Sequence, residues 1–208
     1  MSTTDSSEEP TTTRRPNSAV RDYVTMGVFI ALYIVLFMFC GMIMAAVPLI
    51  MVLLPVVFGL FGGLVFTVLL GKVQRPGAFL ITGLILGLCL ITMAPGGTMC
   101  YMTILGGAVA EIIHSRLGRR SFRSMTLAYS AFILLYSIGE YIPFVWMKQD
   151  YLDLYADNAT LEVARVGTDL LNPLTMVLFC AAGVAAAIAG CFWGRALTRK
   201  QFKRAGIV

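Results

Sequence analysis

The chain has 208 residues, 58% of them hydrophobic and only 13% charged, with a formal net charge of +5. A soluble domain is typically ~45–50% apolar with ~25% charge, so the composition excludes a soluble enzyme and points to an integral membrane protein. The mean hydropathy is +0.82, and at roughly 20 residues per span the length holds about six crossings and little else.

Residues 1–22 are rich in Ser, Thr, Glu and Pro, a composition too polar to build a core and expected to be a disordered cytoplasmic tail. Nothing there resembles a cleavable leader, because the apolar run that follows is too long for one. From Tyr23 to Gly71 there is no charge. That stretch fits two spans, Tyr23–Ala45 and Leu49–Gly71, with the break near Ala46–Pro48; proline is accepted in the first turn of a helix and resisted inside it. Pro55 then stands where it would kink the second helix. A basic turn from Lys72 to Gly77 leads to a short third helix, Ala78–Ala94, closed by Pro95-Gly96-Gly97. The fourth helix covers Thr98–Leu117 and the fifth Met125–Met147, with Arg116, Arg119, Arg120 and Arg123 around the turn between them. A polar loop, 148–169, is expected to form a short surface helix or a lid. It also holds Asn158-Ala159-Thr160, the pattern of a glycosylation acceptor. A sixth helix, Leu170–Gly194, and a basic tail, 195–208, complete the chain. The expected organisation is a disordered tail over 1–22, an all-α membrane bundle of six transmembrane helices over 23–197, and a basic cytoplasmic tail over 198–208.

Placed on this six-helix scheme, every Lys and Arg except Lys148 and Arg165 falls on one side. The positive-inside rule makes that side cytoplasmic and puts both termini there, in a multi-pass protein of the cell membrane. The positive charge is thus a topological signal dispersed over several segments, and nucleic-acid binding is not expected. The five cysteines all lie in apolar stretches without a C-x-x-C pair, which argues against a disulfide framework. Small residues four apart, Gly27 with Ala31, Gly59 with Gly63 and Gly83 with Gly87, mark seams where backbones approach closely. With three such pairs on three helices, at least one is expected to face outward.

Chemistry-bearing residues are few. Glu111 and His114 form Glu-x-x-His, the spacing of di-metal bundles, but the motif occurs once where such sites use it twice. No metal is expected; the pair reads as a structural clasp, Glu111 engaging His114 or an arginine. There is no P-loop and no nucleophile elbow, because Gly71-Lys72 is followed by Val73. Neither catalysis nor a cofactor is expected. Glu140 lies about two turns inside the far end of the fifth helix, near Tyr136, Tyr141 and Trp146. A carboxylate within a span costs roughly 2.5–3.5 kcal/mol at mid-membrane. It therefore either binds a small polar or cationic ligand or bonds another helix, with Tyr141 and Trp146 in an interfacial aromatic belt.

Gly27-Val-Phe-Ile-Ala31-Leu-Tyr33, Gly71-Lys-Val-Gln-Arg75-Pro-Gly77, Gly106-Gly-Ala-Val-Ala-Glu111 and the terminal Phe202-Lys-Arg-Ala-Gly-Ile207 resemble the Trep-Strep type of small bacterial membrane protein. Gln201 departs from that pattern, which has histidine there. The resemblance implies a substrate-binding (S) component of an energy-coupling factor (ECF) transporter, an ABC-type importer of vitamin-like or other small micronutrients. It implies partners, a transmembrane coupling subunit and two ATPases that supply the missing P-loop. Docking on the coupling subunit would use Gly27 and Ala31, and ligand binding the outer halves of helices 4–6 and the loops, which points to Tyr101, Tyr136, Glu140, Tyr141, Trp146 and Asn172. Two rival expectations stand beside it: a proton-coupled secondary carrier working alone through Glu140, and a small membrane enzyme using Glu111 and His114.

Overall fold

The computed structural model describes residues 17–45, 52–156 and 161–204. The tail over 1–16, the break at Ala46–Pro48, the Asn158–Thr160 triplet and residues 205–208 lie outside the described residues, as do the side chains from 199 onward, Gln201 included. Within them the chain is all-α: α1 Asn17–Ala45, α2 Leu54–Lys72, α3 Ala78–Cys89, α4 Thr98–Arg116, α5 Phe122–Trp146, α6 Lys148–Leu154, α7 Leu161–Leu170 and α8 Pro173–Arg204. A 3-10 turn, Pro95–Gly97, precedes α4. Five of these helices are long and apolar enough to cross a membrane, and α3 is a sixth, shorter apolar helix.

The differences from the expected boundaries have local causes. α1 begins at Asn17 rather than Tyr23, since nothing between them breaks a helix and Arg75 Nε bonds Asp22 Oδ2 at 3.1 Å. Pro55 does not kink α2; it occupies the helix's first turn, where its missing N–H costs nothing. α3 stops at Cys89 rather than Ala94: Leu90 leaves helical geometry at φ −95°, ψ 3°, and Ala94, the residue before a proline, is extended at φ −145°, ψ 145°. Hydrogen-bonded turns at Leu90 and Met93 carry the chain on to that point. The 148–169 stretch holds two helices, α6 and α7, and α8 starts at Pro173 rather than Leu170. α8 also runs through the basic segment to Arg204, which contains no Gly or Pro after Gly194. At 1.5 Å per residue it is about 48 Å long, well beyond a hydrocarbon core of about 30 Å.

Two of the small-residue pairs close intrachain seams. A Cβ on Gly59 would sit 2.9 Å from Gly183 O, and one on Gly63 would lie 3.0 Å from both Ala187 O and Cys191 N, so α2 and α8 touch backbone to backbone. On α3, a Cβ at Gly83 would sit 2.8 Å from Gly107 Cα and one at Gly87 would lie 2.9 Å from Cys100 O, both on α4. Gly27 has open space beside it, and both Gly27 and Ala31 are exposed on the outer face of α1.

Aromatic side chains fill the middle of the bundle. The Tyr33 ring meets Phe58 at 4.6 Å and Phe66 at 4.9 Å, and Phe66 stacks on Phe79 at 4.8 Å. Buried hydroxyls are tied to backbone: Tyr129 Oη donates to Phe58 O at 3.1 Å and Thr67 Oγ1 to Gly63 O at 2.7 Å. The first turn of α1, the α2–α3 and α4–α5 turns and the C-terminal part of α8 gather at one end, the basic end. Lys72 lies over Phe29 and Arg195 over Phe122 there, at 5.7 and 4.4 Å from the ring centroids.

These seams predict opposite outcomes for two similar substitutions. Gly63→Leu should destabilise the protein by about 1–3 kcal/mol through overpacking, whereas Gly27→Leu should leave the thermal unfolding midpoint in detergent unchanged.

Candidate functional site

At the end opposite the basic one, a cavity of about 380 Å³ opens within the bundle. α1 contributes Phe37, Met38, Gly41 and Met42, and α2 contributes Leu54. Leu90 and Met93 come from the end of α3, Met99 from α4, and Glu140 and Phe144 from α5. Tyr151 and Tyr155, from α6 and the residue after it, with Ala164 of α7, cover the top. The walls are apolar, sulfur-rich and aromatic, and Glu140 is the one charged residue among those lining it.

Glu140 is 3% exposed, and its Oε2 has no hydrogen-bond partner. Four residues earlier, on the same face of α5, the hydroxyl of fully buried Tyr136 faces the Glu140 carboxyl without closing a well-formed hydrogen bond to it, and it has no other partner among the described residues. A buried polar group left unpaired costs about 1–3 kcal/mol, and more when charged. Thr98, Thr103 and Ser130 also have unpartnered hydroxyls, but Glu140 alone combines an ionisable group with a place on the cavity wall. The second reading of Glu140, a bond to another helix, finds no such bond among the described residues.

The cover is held by specific contacts. Tyr151 packs on Phe144 at 4.5 Å and on Tyr155 at 5.0 Å between ring centroids, and Tyr155 Oη donates to Met93 O at 3.0 Å. Burial pushes both phenols above their ordinary pKa. Gly167 of α7 sits so close to the Phe144 ring that a Cβ there would meet it at 2.5 Å. Lys148 Nζ donates to Thr168 O and ties the start of α6 to α7.

The six residues expected to bind ligand are thus separated. Glu140 lines the cavity, and Tyr136 stands one turn below it, edge-on to Phe37 and Phe58 at 5.8 and 5.7 Å. Tyr141 is fully buried and lines no part of the cavity; its hydroxyl is spent on Val52 O at 2.7 Å. Tyr101 and Trp146 are 66% and 63% exposed on the outside of the bundle, as expected of interfacial aromatics, and do not reach the cavity. Asn172 caps α8: its Oδ1 accepts from Leu174 N at 2.9 Å and Thr175 N at 3.0 Å. The Asn-Pro order at 172–173, a capping residue before a proline at the first helical position, is a sequence signal for that role. The methionines of α1 line the cavity with no sequence signal to mark them, whereas Tyr151 and Tyr155 belong to the 148–169 stretch expected as a surface helix or a lid, and their i, i+4 spacing puts them on a shared face.

Glu111 and His114 hold different partners. Glu111 Oε1 accepts from Gly77 N at 2.9 Å and Oε2 from Phe79 N at 3.3 Å. A carboxylate from α4 thus sits on the N-terminus of α3, where the helix dipole favours negative charge. Gly77 has φ 100°, a backbone conformation that favours glycine. Arg119 Nη2 lies 3.5 Å from Glu111 Oε1, so the arginine partner holds rather than the histidine. His114 is buried and bonds Ser124 of α5 through Nδ1 at 3.2 Å.

Fold and composition together define a multi-pass helical integral membrane protein. The family model described as "Hypothetical bacterial integral membrane protein (Trep_Strep)" matches residues 20–204, and the chain belongs to that family. No curated protein and no solved structure matches it.

Glu111→Ala should lower stability by about 1–3 kcal/mol, because two backbone N–H groups at the start of α3 lose their acceptor. Denaturation in detergent measures it, and Glu111→Gln, which keeps one acceptor oxygen for those N–H groups, should cost less.

Proposed function

We propose that the protein is the membrane-embedded substrate-binding component of an ECF-type importer, taking up a vitamin-like or other small organic molecule. The observation that carries this reading is the covered cavity with an unpartnered carboxylate on its wall. Its volume suits a small organic ligand: apolar and aromatic walls bury the body, and one polar group fixes orientation. The cover of two short helices, joined to the spans on both sides, fits a gate that admits ligand from the end opposite the basic one.

The chain carries no ATP-binding P-loop of its own, so on this reading energy comes from partner ATPases through a coupling subunit. The exposed Gly27 and Ala31 on α1 fit the docking role, since the other two small-residue pairs are consumed inside the bundle. By the positive-inside rule the basic end faces the cytoplasm, so the cavity opens outward.

Co-expression with a coupling subunit and ATPases tests the partnership. The complex should co-purify with the wild-type chain and fall away with G27L/A31L, while the variant alone stays folded; an unchanged complex would contradict the docking face. In cells carrying the intact complex, Glu140→Gln should raise the substrate concentration for half-maximal uptake by about tenfold or more, corresponding to the loss of one charge-assisted contact.

A further inference from the structure

We propose that the basic end of the bundle carries a second binding site, specific for the phosphate group of an anionic ligand. A cavity of about 210 Å³ lies between α2, the α4–α5 turn, α5 and α8. Arg119, Arg120 and Arg195 line it, with the hydroxyl-bearing Thr67, Ser121 and Thr198, and among the described residues no Asp or Glu does.

The guanidinium groups are pre-positioned. Arg120 Nε donates to Gln74 Oε1 at 2.8 Å, which fixes its plane and leaves its terminal N–H groups without another partner among the described residues. Arg195 lies over the Phe122 ring at 4.4 Å, an arrangement that holds a guanidinium by its face and leaves its edge for an anion. Arg119 Nη2 bonds Ser115 Oγ at 2.8 Å and stands 3.5 Å from Glu111, whose oxygens are already engaged by the start of α3. The first turn of α5 begins at the cavity wall with no side-chain cap and no acidic residue, so its free N–H groups add positive potential.

Topology alone does not account for this. The positive-inside rule is served by an arginine anywhere near the end of a span, and Arg116 and Arg123 of the same segment line no part of the cavity, whereas Arg120, though exposed, does. Three guanidiniums around one hollow, two held from behind by Gln74 and Phe122, match the geometry of bidentate phosphate recognition. Basic pockets between spans at this level accept phospholipid head groups, and a soluble phosphate shares the same chemistry.

The test is thermal unfolding of the purified full-length protein in detergent, titrated separately with phosphatidylglycerol, phosphatidylcholine, and sodium phosphate against sodium chloride at matched ionic strength. Wild type and R116Q/R123Q should be stabilised by the anion and indifferent to phosphatidylcholine; R120Q/R195Q, with the same change in charge, should need about tenfold more anion for half the effect. Stabilisation by phosphatidylglycerol alone assigns the site to lipid, and stabilisation by inorganic phosphate to a soluble ligand. If R120Q/R195Q does not fold, R120K/R195K is read instead; it keeps the charge, loses the planar fork, and should show a weaker but definite loss. Equal responses of the line-of-site variant and R116Q/R123Q, or no response of wild type to either anion, would overturn the proposal.

Discussion

Hydrocarbon offers no hydrogen bonds, and that constraint orders the whole molecule. Each polar group carried into the spans must find a partner inside the protein. Tyr129 bonds the Phe58 carbonyl, Tyr141 the Val52 carbonyl, Thr82 the Ala78 carbonyl one turn below it, and Ser137 the Ile133 carbonyl. His114 and Ser124 bond each other across α4 and α5. Against that background Thr98, Thr103, Ser130, Tyr136 and Glu140 stand out among the described residues, and of these Glu140 alone is an ionisable group on the cavity wall, which is why the proposed ligand site is placed there.

The same constraint explains why glycine and alanine set the architecture. Apolar surface gains nothing by leaving lipid for another apolar surface, so close backbone approach and dispersion must hold the helices together. The α2–α8 seam at Gly59 and Gly63 and the α3–α4 seam at Gly83 and Gly107 are such approaches. α1 has none at Gly27, and it presents a long exposed apolar face including Val24, Val28, Leu32 and Val35. Its Phe37 and Met38 nevertheless form one wall of the cavity. α1 is thus held mainly by side chains and borders both the cavity and the outer face of the bundle.

Much of this was legible in the sequence because charge and hydropathy alone delimit spans. The basic turns, the Pro-Gly-Gly signal and the carboxylate at Glu140 all lie where their chemistry implies. Boundaries moved locally: α3 gives way to turns at Leu90, short of the extended Ala94 before Pro95, and the helix-compatible run after Gly194 lengthened α8. The site was only partly legible, for a geometric reason. Tyr101, Tyr141, Trp146 and Asn172 share the right depth with Glu140, but which way a side chain points depends on its angle around the helix and on neighbours distant in sequence. Tyr141 is one residue, about 100° of helical turn, from Glu140, and so faces Val52 instead. Likewise the spacing of Glu111 and His114 puts them on one face of α4, yet each is claimed by a different neighbour, the start of α3 and Ser124.

The central claim is that the hollow at Glu140 holds a guest molecule. Native mass spectrometry of the protein purified gently from its membrane tests it most directly. A discrete small-molecule adduct on the wild-type chain, absent or sharply reduced on Glu140→Gln, is the result this account predicts. A wild-type chain that carries no adduct in any mild detergent, or one retained equally by the variant, would contradict it.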